Sequence, residues 1–239
     1  MPSEHAPATD LRFIFQHGWG FHASCWREWC ILLDRSCLIG DRGYWGKPVP
    51  LEHSAISSGS VLVCHSLGLH LLPAELLAHA SLLVIISGFA HFHGPNSADG
   101  RFSRKHVQKM LSRLQTDPTA LIADFYRDCG CAEWPVDPGP MDTALLAQDL
   151  LLLDQGRVDG RRFAKLPAIL LLHGREDRIV RPERATELAG ILPGSQVTII
   201  DGAGHGLPFT HAQLCLELIC DFSAKTVASV GNQSLRPRS

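Results

Sequence analysis

Short apolar runs alternate with amphipathic stretches along most of the chain. Residues 11–15, 37–40, 60–65, 81–86, 166–172 and 196–200 concentrate leucine, isoleucine, valine and phenylalanine and read as strands. The run Ser81-Leu-Leu-Val-Ile-Ile86 is unbroken after its serine, the pattern of a strand covered on both faces of a parallel sheet. Residues 24–33 place Trp26, Trp29 and Leu33 on one helical face, which reads as core. Turn formers mark a loop at 41–46, and 47–59 reads as a surface connection. A final helix is expected at 211–224, with a polar, loose tail from 225 to 239. Strands alternating with helices predict right-handed crossovers and a three-layer α/β architecture around a mostly parallel sheet. The alternation stops between 91 and 162, where helices are expected at 103–115, 118–129 and 141–155 without a strand. The expected organisation is therefore a core of residues 1–90 and 163–223, a helical cap at 91–162 inserted into it, and a flexible segment at 224–239.

Candidate chemistry collects at the carboxyl ends of the strands, where sites of such sheets lie. Ser60-Val-Leu-Val-Cys64-His-Ser66-Leu-Gly68 runs from a strand through a serine into a helical stretch, the pattern of a nucleophile elbow. Glycine is usual two residues before and after such a serine; here those positions hold Cys64 and Gly68. A surface turn that happens to contain serine would look similar in isolation, so the partners decide. Gln16-His-Gly-Trp-Gly20 follows the first strand, and its glycines allow a sharp turn that presents an amide. An acid is expected on the loop after a late strand and a histidine after the last strand, in the chain order serine, acid, histidine. Asp177 fits the first place better than Glu176, because it directly precedes the next connection. His205, in Asp201-Gly-Ala-Gly-His205-Gly, fits the second, since its glycines let the loop bend back over the sheet edge. In this scheme His205 accepts the proton of Ser66, Asp177 holds the imidazole, and the amides of Trp19 and Leu67 form an oxyanion hole. Trp19 and Phe89, both after strand ends, are candidate substrate contacts. His65 should diverge from Ser66 and pack, and His173 should support the acid loop.

Length and composition narrow the setting. A chain of 239 residues suits one well-buried domain, and a formal charge of −2 gives no general case for nucleic acid or an anionic membrane. The first residues show no basic end followed by an apolar core, and no run is apolar enough to span a bilayer, so a soluble cytoplasmic protein is expected. The eight cysteines are scattered and read as reduced thiols. Cys129-Gly-Cys131 is too closely spaced for the usual zinc pair, and His91-Phe-His93 is expected by chance among thirteen histidines; no metal site is assigned. The serine chemistry needs no metal or organic cofactor. Within the cap, Arg101, Arg104, Lys105, Lys109 and Arg113 arrive with no acidic residue among them. They are either a solvated helix face or a dock for an acidic partner or a phosphate.

With these residues in place, the sequence resembles the α/β-hydrolase superfamily over about residues 10 to 223. Within it, His17-Gly-Trp-Gly20, Ser66-Leu-Gly68, Gly174-Arg-Glu-Asp177 and Gly204-His205 are similar to the BioH-type esterase of biotin synthesis, which removes the methyl group from pimeloyl-[acyl-carrier protein] methyl ester. The resemblance implies a three-layer α/β-hydrolase fold with a helical cap. It also implies release of methanol after an acyl-enzyme forms on Ser66, and an acidic carrier protein as partner for which the cap cations are candidate docking residues. A general short-chain carboxylesterase or thioesterase would use the same triad. A ligand sensor that keeps the fold and signals through cap movement is a third expectation, from another class.

Overall fold

A computed structural model describes residues 12–52, 59–94, 97–131 and 139–233. Six strands form one sheet: β1 (Phe13–Gln16), β2 (Leu38–Gly40), β3 (Ser60–His65), β4 (Ala80–Ile86), β5 (Ile169–Gly174) and β6 (Ser195–Ile200). Their order is β2-β1-β3-β4-β5-β6, and every neighbouring pair is parallel. Nine α-helices connect or flank them among the described residues: α1 (Arg27–Leu33), α2 (Gly68–Leu71), α3 (Ala74–Leu77), α4 (Ser97–Thr116), α5 (Pro118–Asp128), α6 (Thr143–Gln155), α7 (Glu183–Ala189), α8 (Leu207–Thr210) and α9 (Ala212–Gln233).

The strand alternation divides the core into two layers. Phe13, Phe15, Val61, Val63, Val84, Leu170 and Leu172 share one face with Trp26, Trp29 and Ile219. Ile14, Leu62, Cys64, Leu83, Ile85 and Leu171 point the other way, against Leu76, Leu77 and Leu188. A sheet buried on both faces explains why its central strands read as unbroken apolar runs. Trp26 and Trp29 are fully buried, as their spacing predicts.

Several boundaries differ from the sequence reading for identifiable reasons. The late strand was expected from 166 but begins at Ile169, beyond Pro167, which has no amide to donate to a ladder. The helix after Ser66 stops at Leu71, because Pro73 forces Leu72 into an extended conformation (φ −65°, ψ 125°) before α3 starts. The first cap helix starts at Ser97 rather than 103, and α9 continues to Gln233, so residues 225–233, expected to be loose, are helical. The expectations for residues 1–11, 53–58 and 234–239 lie outside the described residues. Among the described residues no helix is long and apolar enough to cross a membrane.

The short α2 is tied to the end of β4 by His70, whose Nε2–H donates to the Phe89 carbonyl at 3.1 Å. Burial pushes the pKa of this imidazole down from 6.5 to about 4. Below pH ~6.5 the unfolded chain therefore takes up a proton that the folded protein refuses, so this contribution is intact above that pH and is lost as the pH falls toward 4. Urea denaturation between these limits should show His70→Gln, which keeps a donor, losing about 1.4 kcal/mol less per pH unit than the wild type. Parallel slopes for the two proteins would contradict the assignment.

Candidate active site

Ser66 stands at the end of β3 with φ +53°, in the left-handed region that a side chain seldom occupies. Such a conformation costs about 1–3 kcal/mol and persists only where the surroundings impose it. Two of those surroundings are visible: the Ser66 amide donates to the Ile86 carbonyl at 2.9 Å, and the loop after β1 packs directly onto the elbow. A Cβ added to Gly18 would lie 2.9 Å from the His65 carbonyl oxygen and 3.0 Å from Ser66 Cβ. One added to Gly68 would lie 2.8 Å from the Gln16 carbonyl oxygen and 2.9 Å from that of His17. Both contacts are with backbone or with the serine itself, so neither glycine can take a side chain without moving the site. Cys64, at the position where glycine is usual, is fully buried with its side chain in the opposite layer of the core. Burial pushes its thiol pKa up, so it remains a packed, protonated side chain.

The three residues expected to work together are brought together. His205 Nε2 lies 3.1 Å from Ser66 Oγ, and His205 Nδ1 donates to Asp177 Oδ2 at 2.8 Å. The other carboxylate oxygen of Asp177 accepts from the amides of Ile179 (2.9 Å) and Val180 (2.8 Å). Burial alone would push the Asp177 pKa up, but the facing His205 and His173 outweigh it and hold the carboxyl well below its usual range. Glu176 is exposed, which removes it as the alternative acid.

Neighbouring histidines brace these groups, a role the sequence reading only partly saw. His65 does more than pack: its Nε2–H donates to the His205 carbonyl at 3.0 Å, and Ser87 Oγ donates to the same oxygen at 3.3 Å. Burial first, and then the nearby His205, hold the His65 pKa well below its ordinary value, so the ring is a neutral donor. His173 Nε2–H donates to the Val180 carbonyl at 2.8 Å and lies 3.3 Å from Asp177 Oδ2, supporting the acid loop as expected. His17 Nε2 accepts from the Arg42 amide at 3.0 Å, which leaves Nδ1–H to donate to the Gly18 carbonyl at 2.9 Å. That carbonyl belongs to the same peptide group as the Trp19 amide. Among the described residues neither the Trp19 nor the Leu67 amide donates to the protein, leaving both open for an oxygen that develops charge.

A cavity of about 410 Å³ opens onto Ser66, His205 and Trp19. Its apolar wall comes mostly from the helices between β4 and β5, through Val107, Met110, Leu121, Phe125, Leu150 and Leu153. The Trp19 indole is fixed by donation to the Leu146 carbonyl at 2.9 Å. Helix α6 is held to the core by buried Asp149, which accepts from Arg42 Nε (2.7 Å), Arg42 Nη2 (2.8 Å) and the Tyr44 hydroxyl (2.7 Å).

The remaining candidates fare unevenly. Phe89 does not line the cavity: it is fully buried, with its ring 4.8 Å from His70 and 5.5 Å from Phe92, and Phe92 takes the place in the wall. The turn that follows β4 directs Phe89 inward, a detail that strand spacing alone does not encode. Arg101, Arg104 and Lys105 are exposed and lie outside the cavity wall, whereas Lys109 and Arg113 belong to it. Arg113 is paired with Asp124 at 2.7 Å. His93 lies between Ser103 Oγ (2.6 Å) and Asp154 Oδ1 (2.7 Å), tying α4 to α6. Cys129 and Cys131 are buried, and the Cys129 carbonyl accepts from the Gly206 amide at 2.7 Å, beside the catalytic-histidine candidate.

A serine on a strained strand-to-helix turn, an imidazole in reach of its hydroxyl and a buried carboxylate behind that imidazole form the relay on which serine hydrolases depend. The chain belongs to the alpha/beta hydrolase family, whose model matches residues 13–218. No curated protein is similar enough in sequence to match. Solved structures do match: the bromoperoxidase from Bacillus anthracis is 17% identical, with 90% of this chain and 92% of that one covered and a TM-score of 0.72. An esterase from Exiguobacterium antarcticum is 14% identical (89% and 91% covered, TM-score 0.70). The enol-lactonase from Burkholderia xenovorans LB400 is 15% identical (93% and 94% covered, TM-score 0.68). At these identities the likeness is one of fold.

The close approach of Gly18 to the elbow yields a direct expectation. Gly18→Ala should displace the Trp19 amide and lower kcat for an ester turned over through Ser66 by about 100-fold, with a much smaller change in KM. Unchanged kcat would place the oxyanion donor elsewhere.

Proposed function

We propose that this protein is a serine carboxylesterase that hydrolyses the methyl ester of pimeloyl-[acyl-carrier protein]. The observation that carries the esterase reading is the hydrogen-bonded chain Ser66–His205–Asp177 opening into an apolar cavity of about 410 Å³. Ser66 Oγ attacks the ester carbonyl while His205 Nε2 takes its proton. The Asp177 carboxylate keeps Nδ1 protonated and stabilises the imidazolium. The carbonyl oxygen, now negative, accepts from the amides of Trp19 and Leu67. His205 returns its proton to the leaving methoxide, methanol departs, and the acyl group remains on Ser66. Water then attacks this acyl-enzyme with His205 again as base, releasing the free carboxylate and regenerating the serine.

The choice of substrate rests on different support. His17-Gly-Trp-Gly20, Ser66-Leu-Gly68 and Gly204-His205 are similar to the BioH-type esterases, and α4 offers exposed Arg101, Arg104, Lys105 and Lys109 to an acidic carrier. Phe102, 74% exposed, stands among these cations in the cavity wall, where it adds an apolar contact for a docked partner. A general short-chain esterase or thioesterase is the second reading; the Exiguobacterium antarcticum esterase among the structures of the same fold favours it.

Turnover of pimeloyl-carrier-protein methyl ester beside a short soluble ester separates the two. The carrier-linked ester should be preferred by the wild type, and Ser66→Ala should abolish both activities. Arg104→Glu combined with Lys109→Glu should reduce kcat/KM for the carrier-linked ester by about tenfold or more and alter the soluble ester far less. Equal loss on both esters would remove the docking role, and a preference for the soluble ester would move the protein to the general esterases.

A further inference from the structure

The segment that supplies the catalytic acid also supplies three arginines that the proposed hydrolysis does not use. Arg178, Arg181 and Arg184 follow Asp177 at intervals of three and all line the cavity that contains Ser66 and His205. Lys109 and Arg113 face the same space from α4. Among the described residues of the wall the acids are Asp124 and Asp128, and Asp124 is already engaged by Arg113 and Arg127.

Arg184 is the most informative of them. It is only 9% exposed, on the first turn of α7, although a guanidinium keeps its charge wherever it is buried. Its Nη1 donates to Glu187, while among the described residues Nε and Nη2 donate to nothing. The guanidinium lies against Gly94, another cavity residue: a Cβ there would come within 2.9 Å of Nη2. A side chain at 94 would push the end of the arginine aside, and its absence leaves the planar fork room at the wall. Neither Nε nor Nη2 is among the side-chain atoms buried without a partner, so both reach the solvent of the cavity and are open to an acceptor there. Arg178, exposed on the same segment, and Lys109, exposed on the facing helix, have no ion pair among the described residues. The backbone carrying Arg178 is fixed, because the amides of Ile179 and Val180 are bound to Asp177.

We propose that this wall is a subsite for a second, anionic group on the ester, a carboxylate or a phosphate, seated on Arg184 with Arg178 and Lys109 at its sides. The inference rests on the ester-hydrolase reading and adds a substrate class to it: esters that carry a negative charge away from the scissile carbonyl. A planar guanidinium binds either oxyanion through two parallel hydrogen bonds, so the group can be the far carboxylate of a dicarboxylic half-ester or the phosphate of a carrier's pantetheine arm.

The test compares matched substrates. The monomethyl ester of a linear dicarboxylic acid and the methyl ester of the monocarboxylic acid of equal length differ only at the far end. A second pair, methyl-ester acyl thioesters of pantetheine with and without its 4′-phosphate, isolates the other source. The wild type should prefer the charged member of at least one pair by about tenfold or more in kcat/KM, through KM, and the preference should shrink as salt is added. Arg184→Gln should bring that ratio close to one, and Arg184→Lys should restore part of it. Calorimetric binding of the preferred ester to Ser66→Ala, weakened about tenfold or more in Ser66→Ala/Arg184→Gln, gives a readout independent of turnover. Which pair responds assigns the anion. Ratios near one for both pairs, or a ratio unmoved by Arg184→Gln, would overturn the subsite. Ser66-dependent turnover of the neutral esters in that case would leave the esterase reading standing, whereas no Ser66-dependent turnover of any ester would overturn both.

Discussion

The packing of the loop after β1 against the turn after β3 is the contact on which the site depends. A Cβ on Gly18 would run into the His65 carbonyl and Ser66 Cβ, and one on Gly68 into the carbonyls of Gln16 and His17, so two backbones approach where no side chain fits between them. The parallel pairing of Gln16 with Cys64 sets the register that brings them there. Ser66 is held at φ +53° between that loop and the Ile86 carbonyl, and the strain is sustained by a sheet buried on both faces. The same approach sets the Trp19 amide beside the turn that carries the Leu67 amide. Nucleophile and oxyanion donors are thus products of one contact rather than of separate devices.

Buried histidines extend this rigidity to the other two groups. His65, next to Ser66 in the chain, holds the carbonyl of His205; His173, four residues before Asp177, holds the carbonyl of Val180; His17 holds the peptide that presents the Trp19 amide. Each is fully or almost fully buried and donates to a backbone oxygen. An imidazole suits the task, since it is rigid and satisfies an otherwise unpaired carbonyl, and burial keeps the His65 ring neutral. The charge on Asp177 is stabilised by two amides and two imidazoles.

What could be read from the sequence follows from how local each determinant is. The strands, the elbow and the loops of Asp177 and His205 were legible, because apolar runs and glycines act within a few residues of the group they place. The break after Leu71 is written in Pro73, yet the apolar stretch around it suggested one helix. Phe89 was misplaced because its direction depends on the turn after β4. Arg178 and Arg181 fall in a stretch that reads as the start of a connection, and nothing in Arg178-Ile-Val-Arg-Pro182 reveals that α4 lies opposite. Asp149 was invisible for the same reason: its partners Arg42 and Tyr44 are over a hundred residues away. Contacts between distant segments are where pattern reading ends.

The central claim is that Ser66 is a nucleophile activated by His205. It is tested most directly by treating the protein with an alkyl fluorophosphonate and locating the adduct by mass spectrometry. The account predicts one adduct per chain, on the peptide containing Ser66, formed far more slowly in His205→Ala. An unmodified Ser66, or labelling that does not depend on His205, would contradict it.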